Sequence, residues 1–226
     1  MFSKYSIQAR IFPAIICAIP ALFFQYFFLS KLISSFLIFL GELSFVGDIT
    51  ISVVVIYFFS QVNRFLSKVF FEKEEAYMPT TDFLLFSNQE YSDNFKRNIY
   101  RKLEDDFGMG MPSEREQSDD ESGSRKRIAE AMSLARKKVG SGKLLLQHNI
   151  EYGFWRNLIG GSILALVFSV LDVVFSFAFS YGVVLVASII LVIAYLFILM
   201  TNRFIIDKHG KLYARVLMQE YMEGSD

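Results

Sequence analysis

Four stretches of this chain are apolar for long enough to cross a lipid bilayer, and that excludes most ordinary soluble folds. A span needs about 20 predominantly apolar residues, because the hydrocarbon core is about 30 Å thick and a helix rises about 1.5 Å per residue. Ile11–Leu29 satisfies this, as does Gly182–Met200 without a single charge. Leu43–Ser60 and Leu158–Phe179 satisfy it with one carboxylate each, Asp48 and Asp172. Leu32–Leu40 is apolar but short, and either extends the second helix or lies at the outer interface. The N-terminal run is too long for a cleaved leader and reads as a retained helix. No lipidation motif accompanies it.

The apolar excess is local. Overall the chain is 53% hydrophobic with 25 Phe, yet residues 66–154 read as soluble protein. The expected fold is therefore an all-α membrane protein. Residues 1–65 form a first transmembrane hairpin, 66–154 a cytoplasmic helical domain, 155–206 a second hairpin and 207–226 a C-terminal helix. Lys and Arg near helix ends set orientation. Lys4, Arg10, Arg64, Lys68, Arg156, Arg203 and Lys208 flank the cytoplasmic side, whereas the two outer loops carry only Lys31. Both termini and the central domain are expected in the cytoplasm of a bacterial inner-membrane protein. A weak repeat, Asn63-Arg64-Phe65 against Asn202-Arg203-Phe204, is explained either by interfacial anchoring or by duplication of the hairpin.

Within the soluble stretch, Ser92 caps a helix that runs to Phe107 and stops at Gly108. Phe95, Ile99, Leu103 and Phe107 form its buried stripe. The acidic, Ser-rich segment Pro112–Ser124 reads as a mobile loop. Arg125–Val139 reads as a second helix ended by Gly140, and Leu212–Met222 as a short amphipathic one. Phe83–Phe86 is the one stretch with an extended pattern.

Enzymatic chemistry finds little support. The single cysteine, Cys17, lies in an apolar run. His148 and His209 have no ligand-spaced partner, so neither a metal nor a cofactor is expected. Gly140-Ser141-Gly142-Lys143 echoes a phosphate loop but lacks its first glycine and its following Ser or Thr, and it follows a helix rather than a strand. No serine–histidine, serine–lysine or paired-aspartate protease motif is present.

The intramembrane carboxylates are the better candidates for function. A charge inside a span is costly unless it faces protein or water. Asp48 either caps a helix end at the headgroups or joins an acidic ring. Asp172 shares one helix face with Ser162, Ala165, Ser169 and Ser176. Such a face serves close helix packing or lines a wet path. Ala14, Ala18, Ala21 and Gln25 make a similar stripe on the first span. There Pro20 kinks the helix by freeing the Ile16 carbonyl. Basic residues cluster at Lys96, Arg97, Arg101 and Lys102, and again at Arg125, Lys126, Arg127, Arg136, Lys137, Lys138 and Lys143. These either bind an anionic lipid, nucleotide or oligonucleotide, or form a solvated face balanced by the acidic segment.

The layout, with the runs Pro79-Thr80-Thr81-Asp82-Phe83-Leu84-Leu85 and Leu144-Leu145-Leu146-Gln147-His148-Asn149-Ile150-Glu151-Tyr152-Gly153, resembles small bacterial multi-span proteins of antiphage defence operons. The Hailong-type membrane effector comes first and the Kiwa membrane subunit second. The resemblance implies a homo-oligomer acting as a cation channel held in check or triggered by an oligonucleotide on its cytoplasmic domain; a tetramer is a working number that the resemblance does not supply. Asp172, Ser162, Ser169, Ser176 and Asp48 are the expected ion path. The basic residues of 125–143 are the expected anion site. The alternative is a non-conducting anchor that recruits a soluble operon partner through residues 66–154.

Overall fold

The structure is a computed structural model that describes residues 3–29, 44–71, 74–140 and 142–224. The side chains of residues 44–49 and of Lys143 lie outside the description, and with them the expectations for Asp48 and Lys143. Lys31 and Leu32–Leu40 also fall outside the described residues. Among the described residues there is no strand. Phe83–Phe86, expected to be extended, instead forms tight turns that bury Phe83, Leu84 and Leu85.

The helices in chain order are α1 (Lys4–Leu29), α2 (Ser44–Phe71), α3 (Pro79–Asp82), α4 (Asp93–Phe107), α5 (Glu114–Asp119), α6 (Glu121–Val139), α7 (Lys143–Ala178), α8 (Gly182–Met200) and α9 (Asn202–Glu223). Lys4–Leu29, Thr50–Phe71, Leu144–Ala178 and Gly182–Met200 are long and apolar enough to cross a membrane. The helices run further than the apolar stretches alone indicate. α7 has 36 residues, and α9 continues through Leu212–Met222 as one helix from Asn202. Polar residues such as Gln147 and Asn157 do not stop a helix when no Pro interrupts its hydrogen bonds.

The chain divides into two compact units. One contains Met1–Glu72 and Gly153–Ile205, the other Lys73–Tyr152 and Ile206–Asp226.

In the first unit, α1 is irregular along its length. Its α-helical middle, Phe12–Phe24, is flanked by π turns at Ile7–Ile11 and Gln25–Leu29. Pro13 and Pro20 have no N–H to give to the carbonyls of Ala9 and Ile16. Both carbonyls are met from elsewhere. Asn157 Nδ2 donates to Ala9 at 2.6 Å, and the Tyr195 hydroxyl donates to Ile16 at 2.6 Å. In a membrane these carbonyls have no water to turn to, so side chains of α7 and α8 complete the backbone of α1.

Small residues bring the helices together. Ala14, Cys17, Ala18 and Ala21 of α1 form one apolar core with Leu158 and Ala165 of α7, Phe59 of α2 and Tyr195 of α8. Closest of all is the crossing of α2 and α7. A Cβ on Gly160 would stand 2.6 Å from the Ser67 backbone nitrogen and 2.7 Å from the Asn63 carbonyl oxygen. Only a residue without a side chain lets two backbones approach so far. α8 is otherwise lightly engaged, burying only Ser188 and Tyr195 and exposing Val183, Ile190, Ile193 and Phe197.

The second unit has its own core, in which Leu84, Ile99, Leu103, Ile128, Met132 and Leu217 are fully buried. α4 begins where Ser92 accepts from the Phe95 N–H, and it ends at Gly108 with φ +65°. The segment expected as a loop, Pro112–Ser124, is helical. Ser113 and Glu116 make a reciprocal capping box at the start of α5. Asp120 then caps α6 by accepting from the Gly123 N–H. Gln117 ties this segment to the core. Its Nε2 donates to the Tyr100 hydroxyl at 2.8 Å, its Oε1 accepts from the Phe86 N–H at 2.8 Å, and Tyr100 donates onward to the Leu84 carbonyl.

Three outcomes follow from the spanning unit. Gly160→Ala will destabilise the detergent-solubilised protein by about 1–3 kcal/mol, the usual cost of overpacking, despite alanine's better helix propensity. Gly182→Ala, which meets nothing within 4 Å, will leave the melting temperature unchanged or raised. Tyr195→Phe keeps the ring but strands the Ile16 carbonyl, and will cost about 0.6–1.7 kcal/mol in the same melting assay.

Candidate functional site

The face of α7 that carries Asp172 is turned inward. Ser162, Ala165, Ser169, Asp172 and Ser176 are all fully buried within the single chain. Residues between them on the helix, such as Val167, Val170 and Val174, are exposed. Packing claims the first part of this face. The Ser162 hydroxyl donates to the Leu158 carbonyl at 2.7 Å, and the Ser169 hydroxyl to the Ala165 carbonyl at 2.8 Å. Bonds to the preceding turn satisfy a hydroxyl inside lipid without any partner helix.

Asp172 and Ser176 differ from these. Among the described residues neither carboxylate oxygen of Asp172 has a hydrogen-bond partner, nor does Ser176 Oγ. Phe168 and Phe175, one turn to either side of Asp172, meet Phe24 of α1 at centroid separations of 6.2 and 5.2 Å. Beyond them Phe28, Phe175, Phe179 and Tyr181 form a continuous cluster. Because Asp172 is buried inside one chain, its carboxylate does not stand on a free face from which copies would form an acidic ring.

A second group of buried polar residues lies further along the same helices. Ser67 of α2 donates to Asn157 Oδ1 at 3.2 Å, while Asn157 Nδ2 serves Ala9. Asn63 is fully buried, and its amide lies beside the Cys17 thiol. It packs against Gly161, where a Cβ would stand 2.3 Å from its side chain. The Cys17 thiol donates to the Leu158 carbonyl at 3.6 Å. Asn63 and Asn157 were not singled out as site residues from sequence, where Asn63 reads as one member of the Asn-Arg-Phe repeat. The structure separates the repeat's two asparagines, since Asn202 is only half-buried and caps the Leu199 carbonyl. The adjacent glycines Gly160-Gly161 were the sequence signal for Asn63's surroundings.

In the second unit, most of the candidate anion-binding residues already have acidic partners. Arg125, with its side chain 13% exposed, bonds Glu121 at 2.7 Å and Asp82 at 3.1 Å. It also donates to the Ala76 carbonyl and lies over the Tyr77 ring. Arg127 bonds Glu116 at 3.1 Å. Arg136 lies 3.8 Å from Glu75 and over the Tyr213 ring, and Lys138 bonds Asp106 at 2.6 Å. The Ser113 N–H and hydroxyl, followed by Arg127, hold the Glu116 carboxyl down at about 2. Hydrogen bonds from Lys138 and Tyr221 lower that of Asp106. Lys126 and Lys137 are exposed and make no ion pair among the described residues. Lys96 is buried, where its ammonium donates to the Asn88 and Phe86 carbonyls and so holds the turn before α4.

The structure also joins two histidines that sequence spacing kept apart. His148 Nδ1 and His209 Nδ1 lie 3.5 and 3.9 Å from one Glu151 carboxylate oxygen. Burial lowers the His209 pKa against the pull of Glu151. No group of three or more side chains suited to a metal occurs among the described residues.

No protein-family model, curated protein or solved structure matches this chain. Its function is therefore argued from the arrangement of its own residues.

Pairing divides the basic residues into two kinds. Arg125→Ala will lower the melting temperature by removing about 1–3 kcal/mol of charged hydrogen bonding. Lys126→Ala will change stability by no more than about 0.5 kcal/mol, as is usual for an exposed surface position.

Proposed function

We propose that the chain is an integral membrane effector whose spanning unit passes a cation along the buried face of α7, with Asp172 as the attracting group. The observation that carries this reading is the Asp172 carboxylate, fully buried with both oxygens unpartnered. Placing a carboxylate at the centre of a span costs on the order of 3 kcal/mol on insertion scales. A residue serving packing alone would be Ser or Ala, as at the neighbouring positions 162, 165 and 169.

Further parts of the reading rest on the sequence. Both termini and residues 66–154 are assigned to the cytoplasm of a bacterial inner membrane from the Lys and Arg pattern. A homo-oligomer would use the exposed apolar residues of α2 and α8, such as Tyr57, Phe58, Ile193 and Phe197. An anionic regulator, a nucleotide or oligonucleotide, would meet Lys126 and Lys137 first. It would reach Arg125 and Arg127 only by displacing Glu121 and Glu116. The antiphage setting rests on the likeness of residues 79–85 and 144–153 to effectors of defence operons.

A non-conducting anchor that recruits a soluble partner is the second reading. It is favoured by the ion pairs that already occupy Arg125, Arg127, Arg136 and Lys138.

Current through planar bilayers separates the two. The purified protein will pass a cation-dependent current. Asp172→Asn will lower that current by about tenfold or more, the scale on which a focused charge concentrates counter-ions. A full current in Asp172→Asn removes Asp172 from the mechanism, and silence in the wild type favours the anchor.

A further inference from the structure

Resting on the conducting reading, we infer that the ion handled at Asp172 is the proton and not a metal cation. The first argument is charge. Across residues 12–29, 50–63, 157–178 and 182–200, Asp172 is the single charged side chain. No Lys, Arg or His is available within these segments to neutralise it. Among the described residues of these segments nothing offers the buried carboxylate a counter-charge, so it is drawn from outside them.

The second argument is coordination. A metal cation that leaves water needs a shell of oxygens; calcium takes about 6–8, and channel filters build their sites from rings of carbonyls. Phe168 and Phe175, one turn to either side of Asp172 on α7, both meet Phe24 of α1. α7 runs through this level as unbroken α-helix, so its own carbonyls stay engaged. A proton needs one oxygen and no shell. On arrival a hydronium ion loses one O–H bond as an Asp172 oxygen gains one, and on release that O–H bond breaks as water gains the proton. Ser169 and Ser176 lie three and four residues from Asp172, the helical spacing at which side chains meet, and their oxygens can accept from the neutral acid.

Within residues 12–29, 50–63, 157–178 and 182–200 the remaining titratable side chains are phenols and a thiol, which carry no positive charge in either protonation state. Tyr195 and Cys17 already donate to the Ile16 and Leu158 carbonyls. Tyr181 stacks on Phe28 at the turn after α7, and Tyr26 and Tyr57 face outward. None supplies a positive charge.

The test uses the full chain reconstituted in vesicles, with a trapped pH dye and the salt of a bulky organic cation as the only electrolyte. Protons are expected to move down an imposed gradient. Asp172→Asn is expected to reduce that flux to the level of protein-free vesicles, with Asp172→Glu retaining part of it. Melting temperature verifies that each variant is folded. Infrared spectra of the wild type should show a protonated-carboxyl band that is absent in Asp172→Asn. Potassium or sodium flux at clamped pH that depends on Asp172 overturns the proton assignment and leaves the conducting reading standing. Absence of any ion flux overturns the conducting reading. Absence of the infrared band in the wild type overturns proton binding at Asp172 whether or not the protein conducts.

Discussion

Lipid offers no hydrogen-bond partner, and the spanning unit is organised around that fact. α1 carries two prolines seven residues apart, and each leaves a carbonyl without its usual donor. Asn157 and Tyr195 supply the missing donors from two other helices. Those bonds fix both the rotation and the height of α7 and α8 against α1, because only one placement brings each donor to its carbonyl. The alanines of α1 follow from the same demand. A polar bond between helix backbones needs close approach, and small side chains permit it.

The same closeness explains why a carboxylate here is informative. Where α2 and α7 cross, Gly160 brings backbone almost to backbone, and Gly161 packs against the Asn63 side chain. Ser162 and Ser169 fold back on their own helix and ask nothing of their neighbours. Asp172 cannot do so, since a carboxylate has no proton to give a carbonyl when ionised. Its burial sets a cost that no hydrogen bond among the described residues compensates.

The second unit manages charge by the opposite route. It has ten or more charged side chains on α5 and α6 alone, and it pairs many of them locally. Glu116 serves twice, closing the capping box with Ser113 and bonding Arg127. Gln117 explains why a segment so acidic is ordered. One amide side chain meets a buried phenol and a backbone N–H, so the segment is held by polar bonds in place of apolar burial. Compositional reasoning misses such a hold, because it weighs hydrophobicity and charge but not the geometry of a single amide.

Local rules made several features legible in advance. Four runs had the length and hydropathy to span a bilayer, because those are sums over one contiguous segment. Ser92 and Gly108 marked the ends of α4, because capping involves residues within one turn of each other. The face shared by Ser162, Ala165, Ser169, Asp172 and Ser176 followed from helical periodicity alone. Tertiary structure decided what that face meets and which polar groups stay unpaired. It also brought Asn157 to a carbonyl 148 residues away and Tyr195 to one 179 residues away. It gathered His148 and His209 onto Glu151, and it buried Lys96 away from the basic surface. Periodicity and hydropathy are properties of one helix, whereas a partner is chosen by distance between helices, and chain position says little about that.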